Sequence, residues 1–346
     1  MRLIYGRPIF CIVILLVFAT VPASGQTRYT VHDLGTLGGM VNEPYDLSPG
    51  DVVVGRVLDP TLAAKAVLWG AGSVFNLNGP ASVAGEARGI SSNGMIAGSL
   101  GSRAVVWQPG GIRFLDPMPG HIASVAYDVN ASGLAVGWSV NYVGDPTAAA
   151  WVGGTFTQLD VNHSWAFAVN DKGQIIGRRD VSTGREARLW HDGNAATLPD
   201  LGGNFASATN ISPRGAIITG GACQPTSPTT CAMYSVIWVG KARAIVRLVT
   251  FPGALDQNAW SANDRGVIVG DAAADFEGLS TVGLVWQLPD LAPVDLNTRI
   301  DPGSGWTIES ARAVSQSGVI AAYGRHPAVS GRRAVLLRPI DQAGER

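Results

Sequence analysis

The 346-residue sequence has little charge, few cysteines and no long apolar run beyond its N-terminal segment. Charged residues make up 15% of the chain, against about 25% in soluble domains. The 25 Lys and Arg nearly balance the 26 Asp and Glu, and a net charge of −1 provides no basic surface for nucleic acid or an anionic membrane. No stretch after residue 25 approaches the about 20 apolar residues of a membrane helix, so we expect no membrane span there.

Enzyme signatures are also absent. The chain has no Gly-x-Ser-x-Gly elbow, no His-Glu-x-x-His zinc motif, no phosphate-binding loop and no dinucleotide fingerprint. We therefore expect no cofactor and no metal, although catalytic groups can converge from distant segments. The five histidines share neither a repeat position nor a ligand spacing: His32, His121, His163, His191 and His326.

The N-terminus has the three parts of a signal peptide. Arg2 and Arg7 precede or flank the start of eleven apolar residues at 9–19, and Ala23 and Gly25 are small residues at a cleavage site. We predict a signal peptide over residues 1–25 and a secreted protein, periplasmic or extracellular. An uncleaved anchor is the alternative, but the apolar run is short for a membrane span.

Export determines how the cysteines are interpreted. Of the 3 cysteines, Cys11 lies in the signal peptide, which leaves Cys223 and Cys231. Two nearby cysteines in an exported chain predict a disulfide. A metal site is the alternative, but no further Cys or His lies close by in the sequence.

The remaining chain repeats one short unit seven times. The unit is Ala, two variable residues, an aliphatic residue, Asn or Ser, two more residues, Gly, three mostly aliphatic residues and Gly. It occupies residues 44–55, 87–98, 126–137, 166–177, 208–219, 259–270 and 311–322. The Asn/Ser positions recur on average about 45 residues apart, and they are Ser48, Ser91, Asn130, Asn170, Ser212, Asn263 and Ser315.

Two further elements follow each unit. One is a four-residue strand that ends in Trp in six copies, at Trp69, Trp107, Trp151, Trp190, Trp238 and Trp286, and in Leu337 in the seventh. The other is a short apolar segment, at 74–77, 112–115, 156–159, 196–201, 244–248 and 293–296. Apolar runs of this length between Gly, Asn and Pro turns favour strands. The Asn-x-x-Gly link predicts a tight turn; a Ca²⁺ loop is disfavoured because EF-hand spacing is absent.

Each unit thus reads as four strands, a to d, which is the period of a β-propeller blade. A strand at 29–34 precedes the first a strand, and the last unit lacks its d strand. The first strand can therefore complete the last blade and close the ring. We predict an all-β fold, a seven-bladed β-propeller of four-stranded blades forming one domain over 26–339, with a polar tail at 340–346. A β-solenoid and a six-bladed ring are the alternatives.

The repeat resembles the extracellular HAF-repeat family over essentially all of residues 29–339. The resemblance rests on the Asp-Leu-Gly-Thr-Leu-Gly-Gly segment at 33–39, the Leu-Pro-Asp-Leu-Gly-Gly segment at 198–203 and the sevenfold Asn/Ser register. The His-Ala-Phe triplet itself is absent; Lys65, Ala66 and Val67 stand at one of its positions. The resemblance implies a secreted bacterial protein, and it brings no defined activity and no catalytic residues.

Loop lengths point to one face of the predicted ring. The links between strands b and c and between strands d and a vary in length. Both kinds of link lie on the same face, which we call the loop face. Insertions on one face of a repeat protein often mark its binding face. Four aromatic residues near this face are candidate ligand-binding residues: Trp138, Tyr142, Trp165 and Trp306. Ordinary loop packing is the alternative role for them. Trp260, in strand a, is expected in the core.

Strand a is expected to line the central channel. Asp46 and Asp128 occupy equivalent positions there. They could act as a carboxylate pair or as a cation site. The alternative is that they only line the solvated channel or support turns. We therefore expect a monomeric binding or scaffold module for a glycan or an extracellular protein. The alternatives are a hydrolase or lyase that acts on extracellular polysaccharide through these carboxylates, and a purely structural surface protein.

Overall fold

The computed structural model describes residues 27–79, 83–227, 229–275 and 280–340; the predicted signal peptide and residues 341–346 lie outside them. The described chain forms seven four-stranded antiparallel sheets and two short 3-10 helices, Leu296–Thr298 and Pro302–Ser304. No helix in these ranges is long and apolar enough to cross a membrane. The seven a strands contact one another in a closed ring. The predicted seven-bladed β-propeller is confirmed.

Every blade has the order a, b, c, d from the channel outward. The a strands are β2 (Val41–Leu47), β6 (Gly85–Ile90), β10 (His121–Val129), β14 (Ser164–Val169), β18 (Ala206–Ile211), β22 (Asp256–Ala262) and β26 (Thr307–Val314). The b strands are β3 (Val53–Leu58), β7 (Ile96–Leu100), β11 (Leu134–Asn141), β15 (Ile175–Val181), β19 (Ile217–Pro225), β23 (Val267–Ala273) and β27 (Ile320–Arg325).

The outer half of each blade is a second hairpin. The c strands are β4 (Ala64–Gly70), β8 (Arg103–Gln108), β12 (Pro146–Val152), β16 (Gly184–His191), β20 (Cys231–Val239), β24 (Thr281–Gln287) and β28 (Arg333–Pro339). The d strands are β5 (Ser73–Asn76), β9 (Gly111–Leu115), β13 (Thr155–Asn162), β17 (Asn194–Thr197), β21 (Ala244–Arg247), β25 (Asp290–Asp295) and, from the start of the chain, β1 (Tyr29–Asp33).

The N-terminal strand closes the ring. β1 pairs antiparallel with β28, so that Tyr29 is opposite Pro339 and Asp33 is opposite Val335. Tyr29 is buried in the apolar cluster between blades 6 and 7. The predicted completion of the last blade by the first strand is therefore confirmed, and it protects an edge that an incomplete blade leaves open.

Apolar packing lies between the blades. Seven clusters of buried residues occupy the seven junctions between neighbouring blades. The six repeat tryptophans are all buried in these clusters. Five of them donate their Nε1–H to the outer part of the preceding blade, to Gly35 O, Leu77 O, Asp116 O, Asp160 Oδ2 and Pro199 O. Each repeat tryptophan thus packs one blade against the one before it.

The repeat Asn and Ser residues form the a–b turns as predicted. The side-chain oxygen of Asn170, for example, accepts the backbone N–H of Gln174 at 3.0 Å. The Asn130 and Asn263 side chains also reach the following blades and donate to the backbone oxygens of Asn170 and Ser315. Because a polar side chain replaces a missing backbone partner, the turn stays compact while its Asn or Ser is buried.

Candidate functional site

All seven a strands contain a β-bulge at the same repeat position. The register of every a–b pair skips one residue of the a strand, directly after the unit's first Ala or Pro. A bulge redirects the extra side chain and bends the strand. The seven redirected residues, which we call the bulge ring, are Tyr45, Arg88, Tyr127, Phe167, Thr209, Trp260 and Arg312.

The bulge explains the last glycine of the repeat unit. A Cβ on Gly177 would lie 1.9 Å from the carbonyl oxygen of Trp165, and one on Gly55 would lie 2.0 Å from that of Glu43. No side chain fits at such distances, so the bulge requires Gly opposite it in blades 1 to 6. In blade 5 this residue is Gly220 and not the predicted Thr219, because the turn after Ser212 is one residue longer than its counterparts. Blade 7 has Ala322 at this position, and its a strand contains a second register shift between Ile308 and Ser310.

The bulge ring surrounds a cavity of about 330 Å³ in the channel, which we call the channel cavity. Asp46, Asp128 and Asn210 line it at the end of the a strands nearest the a–b turns. Arg178 and Ser207 line it farther along, toward the loop face. Among the described lining residues, the acids thus lie at one end of the cavity. Aromatic rings and arginines line the rest of it toward the loop face.

The arginines of the cavity are stacked on aromatic rings. The Cζ of Arg88 lies 4.4 Å from the ring centre of Tyr127 and 5.4 Å from that of Tyr45. The Cζ of Arg178 lies 4.1 Å from the ring of Trp165. The third arginine, Arg312, sits at the same distance, 4.1 Å, from its own bulge-ring neighbour Trp260. Stacking of this kind stabilises a guanidinium and fixes its plane.

Asp46 and Asp128 each connect two blades. Asp46 accepts the N–H groups of Leu47 and Ile90, both at 2.8 Å. Asp128 accepts the N–H groups of Val129 at 2.7 Å and Val169 at 2.8 Å. The second acceptor oxygen of each aspartate therefore holds the a strand of the following blade.

Burial changes the acidity of both aspartates. Removal from bulk water raises the pKa of Asp46 to about 6, although its two backbone hydrogen bonds act in the opposite direction. Burial, and then the neighbouring Asp46 carboxylate, raise the pKa of Asp128 well above its usual value. The two carboxylates interact across β6, where a Cβ on Gly89 would lie 2.6 Å from Asp128 Oδ1.

Ion pairs flank the bulge ring on blades 1 and 2. Arg56 contacts Glu43 and Glu86, each at 2.6 Å. Glu86 also pairs with Arg88, and Tyr45 donates its hydroxyl to Glu43 at 3.2 Å. Two arginines and two glutamates therefore neutralise each other here.

Blade 6 holds a further acid beside the ring. Asp271 accepts the Trp260 Nε1–H at 2.7 Å and the Ser310 hydroxyl at 2.5 Å, and its carboxylate lies 4.0 Å from Arg312. This acid fixes the Trp260 ring and gives Arg312 a counter-ion.

The aromatic candidates from the sequence fall in different places. Trp165 lies under the Arg178 guanidinium, next to the channel cavity. Trp138 is half-buried in β11, and its Nε1 has no acceptor among the described residues. Tyr142, in the β11–β12 turn, is 80% exposed. Trp306 packs on the core between blades 6 and 7, with its ring 5.1 Å from that of His326. None of the four is among the residues that line the cavity.

Sequence reasoning missed the arginines. Arg88 and Arg312 occupy the repeat position of Tyr45 and Tyr127, and Arg178 directly follows the repeat glycine of blade 4. The available signal was the position directly after the unit's first Ala or Pro, which holds an aromatic residue or Arg in six of the seven copies. The expectation that Trp260 belongs to the core was wrong: it lines the channel cavity because the bulge turns it there.

The predicted Cys223–Cys231 disulfide is confirmed. It joins β19 to β20 across a separation of 8 residues, with the Cα atoms 5.6 Å apart. Cys223 is buried, while Cys231 is exposed. The bridge lies in the b–c hairpin of blade 5, away from the residues that line the channel cavity.

Comparison with protein-family models finds no match, and comparison with curated proteins finds none either. Solved structures with a similar fold do exist. An oligogalacturonate lyase in complex with manganese is 11% identical, with 91% of this chain and 96% of that chain covered, at a TM-score of 0.59. A puromycin-hydrolyzing peptidase from Mycobacterium tuberculosis is 15% identical, with 91% of this chain and 52% of that chain covered, at a TM-score of 0.56.

TolB from Acinetobacter baumannii is 12% identical, with 84% of this chain and 64% of that chain covered, at a TM-score of 0.48. This chain therefore spans less than two thirds of TolB and about half of the peptidase. At such identities the two likenesses above a TM-score of 0.5 show the propeller fold alone. The lyase structure holds manganese, whereas the described residues of this chain include no group of three or more His, Cys, Asp or Glu placed to hold a metal ion.

Proposed function

We propose that the protein is an exported binding module that holds the end of a glycan chain in the channel cavity. The observation that carries this proposal is the bulge ring, which turns one side chain from each of the seven blades into one cavity of about 330 Å³. That volume lies at the lower end of ligand pockets, about 300–1,000 Å³, and suits one or two sugar residues.

The chemistry of the lining suits a sugar. The rings of Tyr127 and Phe167, whose centres are 5.4 Å apart, supply apolar surface for the C–H face of a pyranose. Thr209, Asn210 and Ser207 supply hydroxyl and amide groups for sugar hydroxyls. A cavity with aromatic walls and a few polar groups matches the general pattern of small-molecule sites.

Export and family membership belong to the same proposal. The disulfide is compatible with an oxidising compartment, which agrees with a signal peptide at 1–25 and with a secreted or periplasmic protein. The resemblance to the HAF-repeat family stays a prediction that rests on the sevenfold motif. That resemblance implies a protein outside the bacterial cell, where glycans are abundant ligands.

The test is retention of purified protein (residues 26–346) on a panel of immobilised bacterial and plant polysaccharides. We expect retention on at least one polymer, and we expect Phe167→Ala to remove it. Tyr142→Ala is the control, because Tyr142 is exposed and does not line the cavity. If Trp138→Ala or Tyr142→Ala removes retention while Phe167→Ala does not, the ligand is held by the loop-face aromatics and the cavity proposal is wrong. If the protein is retained on no polymer, the proposed glycan ligand is wrong and an extracellular protein partner becomes the better hypothesis.

A hydrolase or lyase that acts on extracellular polysaccharide is the second candidate function. Asp46 and Asp128 favour it, because two cavity carboxyls with raised pKa values can share acid and base roles. Their geometry argues against it, because both oxygens of each carboxylate already accept a backbone N–H. Turnover of a retained polymer that Asp128→Asn abolishes, at a pH where the variant stays folded, would establish the enzyme.

A further inference from the structure

We propose that the channel cavity recognises an acidic sugar residue and that Arg178 binds its carboxylate. This inference rests on the proposed function, because it names the chemical class of the glycan held in the cavity. It is carried by the charge balance around the cavity and by the hydrogen bonds that Arg178 does not make.

Asp180 is the one acid in the described part of the chain that forms an ion pair with Arg178, and it also pairs with another arginine. The carboxylate of Asp180 accepts Arg185 Nε at 2.7 Å and Arg185 Nη2 at 3.4 Å, whereas Arg178 Nε lies 4.0 Å from the nearer oxygen. The two-point contact commits Asp180 to Arg185. Two guanidiniums face one carboxylate, so a positive charge remains at Arg178.

The other arginines of the cavity are better neutralised. Arg88 pairs with Glu86, within the balanced cluster that also contains Arg56 and Glu43. Arg312 has Asp271 at 4.0 Å as a counter-ion that no second arginine in the described chain contacts. Arg178 is therefore the cavity cation whose charge most needs an external anion.

The guanidinium of Arg178 is held in place without using its hydrogen-bond donors. Its Cζ lies over Trp165, 4.1 Å from the ring centre, and 5.8 Å from the ring centre of Phe167. It donates no hydrogen bond to any residue that the structure describes, and its Nε is buried. A fixed guanidinium with free donors is a ready receptor for a carboxylate, which Arg binds at two points.

The other charged groups around the channel cavity are compatible with an anion bound beside Arg178. Burial and the neighbouring Arg185 lower the pKa of Arg178, and a bound carboxylate offsets both effects. At the other end of the cavity, the raised pKa values of Asp46 and Asp128 reduce the negative charge that an acidic ligand meets. Neutral hydroxyls of the same sugar can bond to Thr209 and Asn210, which also line the cavity.

The test compares each acidic polymer with its own neutral form. Oligomers of alginate and of polygalacturonate are titrated into the protein by calorimetry, beside the same oligomers after reduction of their carboxyl groups to alcohols. We expect the wild-type protein to bind one of the acidic oligomers roughly tenfold or more tightly than its reduced form, as a charge-assisted contact predicts. Arg178→Met, which keeps the apolar contact with Trp165, should lose this preference and still bind the reduced oligomer.

A matched control is available on blade 2. Arg103 is also stacked on an aromatic ring, 4.7 Å from the ring centre of Phe114, and pairs with Asp116 at 2.5 Å, but it does not line the cavity. Arg103→Met should leave the acidic preference unchanged. If Arg103→Met abolishes the preference as fully as Arg178→Met does, binding is a general polyanion effect and the inference is overturned.

The remaining outcomes separate this inference from the function on which it rests. Equal binding of acidic and reduced oligomers by the wild-type protein overturns the acidic ligand while glycan binding stands. An acidic preference that survives in Arg178→Met overturns the role of Arg178. Absence of binding to every oligomer here, together with absence of retention on the polysaccharide panel, overturns the proposed function as well.

Discussion

The Asp46 carboxylate ties blade 1 to blade 2 by accepting the backbone N–H of Ile90 at 2.8 Å, 44 residues along the chain. Its other oxygen accepts the N–H of Leu47 in its own strand. Asp128 repeats the arrangement between blades 3 and 4 through Val169. The acids that the sequence marked as channel residues are therefore also structural bridges, and their burial raises both pKa values.

The raised pKa of Asp46 predicts a specific pH dependence of stability. The pKa of this carboxyl is about 6 in the folded protein, against 3.8 for an ordinary aspartate, which stands for the unfolded chain. The carboxyl therefore holds its proton more tightly in the folded protein. Its contribution to stability is therefore present at low pH and is lost as the pH rises from about 4 to about 6. Asp46→Asn mimics the protonated acid, so the free energy of unfolding of the wild-type protein should fall relative to this variant by about 1–2 kcal/mol over that window.

Urea denaturation at several pH values measures this difference. Asp59→Asn is the control, with a pH dependence of opposite sign. Hydrogen bonds, first that from the Thr61 side chain, lower the pKa of Asp59. Its contribution to stability is therefore lost as the pH falls. A difference between wild type and Asp46→Asn that does not change with pH would show that Asp46 titrates normally. An unfolded Asp46→Asn protein at every pH would show that the bridge needs both acceptor oxygens.

The bulge predicts that the repeat glycines of blades 1 to 6 cannot be replaced, whereas blade 7 has Ala322 beside a second register shift in its a strand. A Cβ on Gly177 would collide with the Trp165 oxygen at 1.9 Å, so Gly177→Ala forces the bulge or the strand to move. We expect a loss of about 3 kcal/mol or more in the free energy of unfolding. Gly50→Ala is the matched control, because its Cβ would meet only Ser48 Oγ at 3.9 Å, and we expect a change within about 0.5 kcal/mol. Similar losses in both variants would contradict the steric account.

The ring could be predicted from the sequence, but its cavity could not. Seven copies of a four-strand unit and the complementary positions of residues 29–34 and 334–337 specify a closed ring, because each strand needs a partner. The bulge is invisible in one strand, since it is a difference in residue count between two paired strands. Without the bulge, Trp260 alternates into the core; with it, Trp260 and Arg312 face the channel. Arg178 joins them from a b strand, which only the register reveals.

The disulfide is expected to stabilise one hairpin and not the whole fold. Cys223 and Cys231 lie in β19 and β20, which are already paired, with Cys223 opposite Met233 and Cys231 opposite Pro225. The double variant Cys223→Ala/Cys231→Ala should therefore fold, with a loss of about 1–3 kcal/mol that thermal or urea denaturation detects. Glycan retention should be unchanged, because neither cysteine lines the channel cavity. Loss of folding would mean that the hairpin forms only when the bridge closes it.

Two of the repeat tryptophans form a natural comparison. Trp238 and Trp286 are both fully buried at the same position of neighbouring blades. The Trp238 Nε1 donates to Pro199 O at 2.7 Å, whereas the Trp286 Nε1 is buried with no acceptor among the described residues. Their apolar surroundings are alike in kind, so the hydrogen bond is the principal difference between the two sites.

Replacing each of them with Phe should separate packing from hydrogen bonding. Both Trp238→Phe and Trp286→Phe remove the same volume and leave a similar cavity. Only Trp238→Phe also breaks a hydrogen bond, whose net contribution is about 0.5–1.5 kcal/mol because Pro199 is exposed and its oxygen can be hydrated. Trp286→Phe removes a buried donor that had no acceptor among the described residues. We therefore expect Trp238→Phe to lose about 1 kcal/mol more in urea denaturation. Equal losses would mean that Trp286 finds a partner in solution, and a larger loss for Trp286→Phe would show that packing around that ring outweighs the hydrogen bond of Trp238.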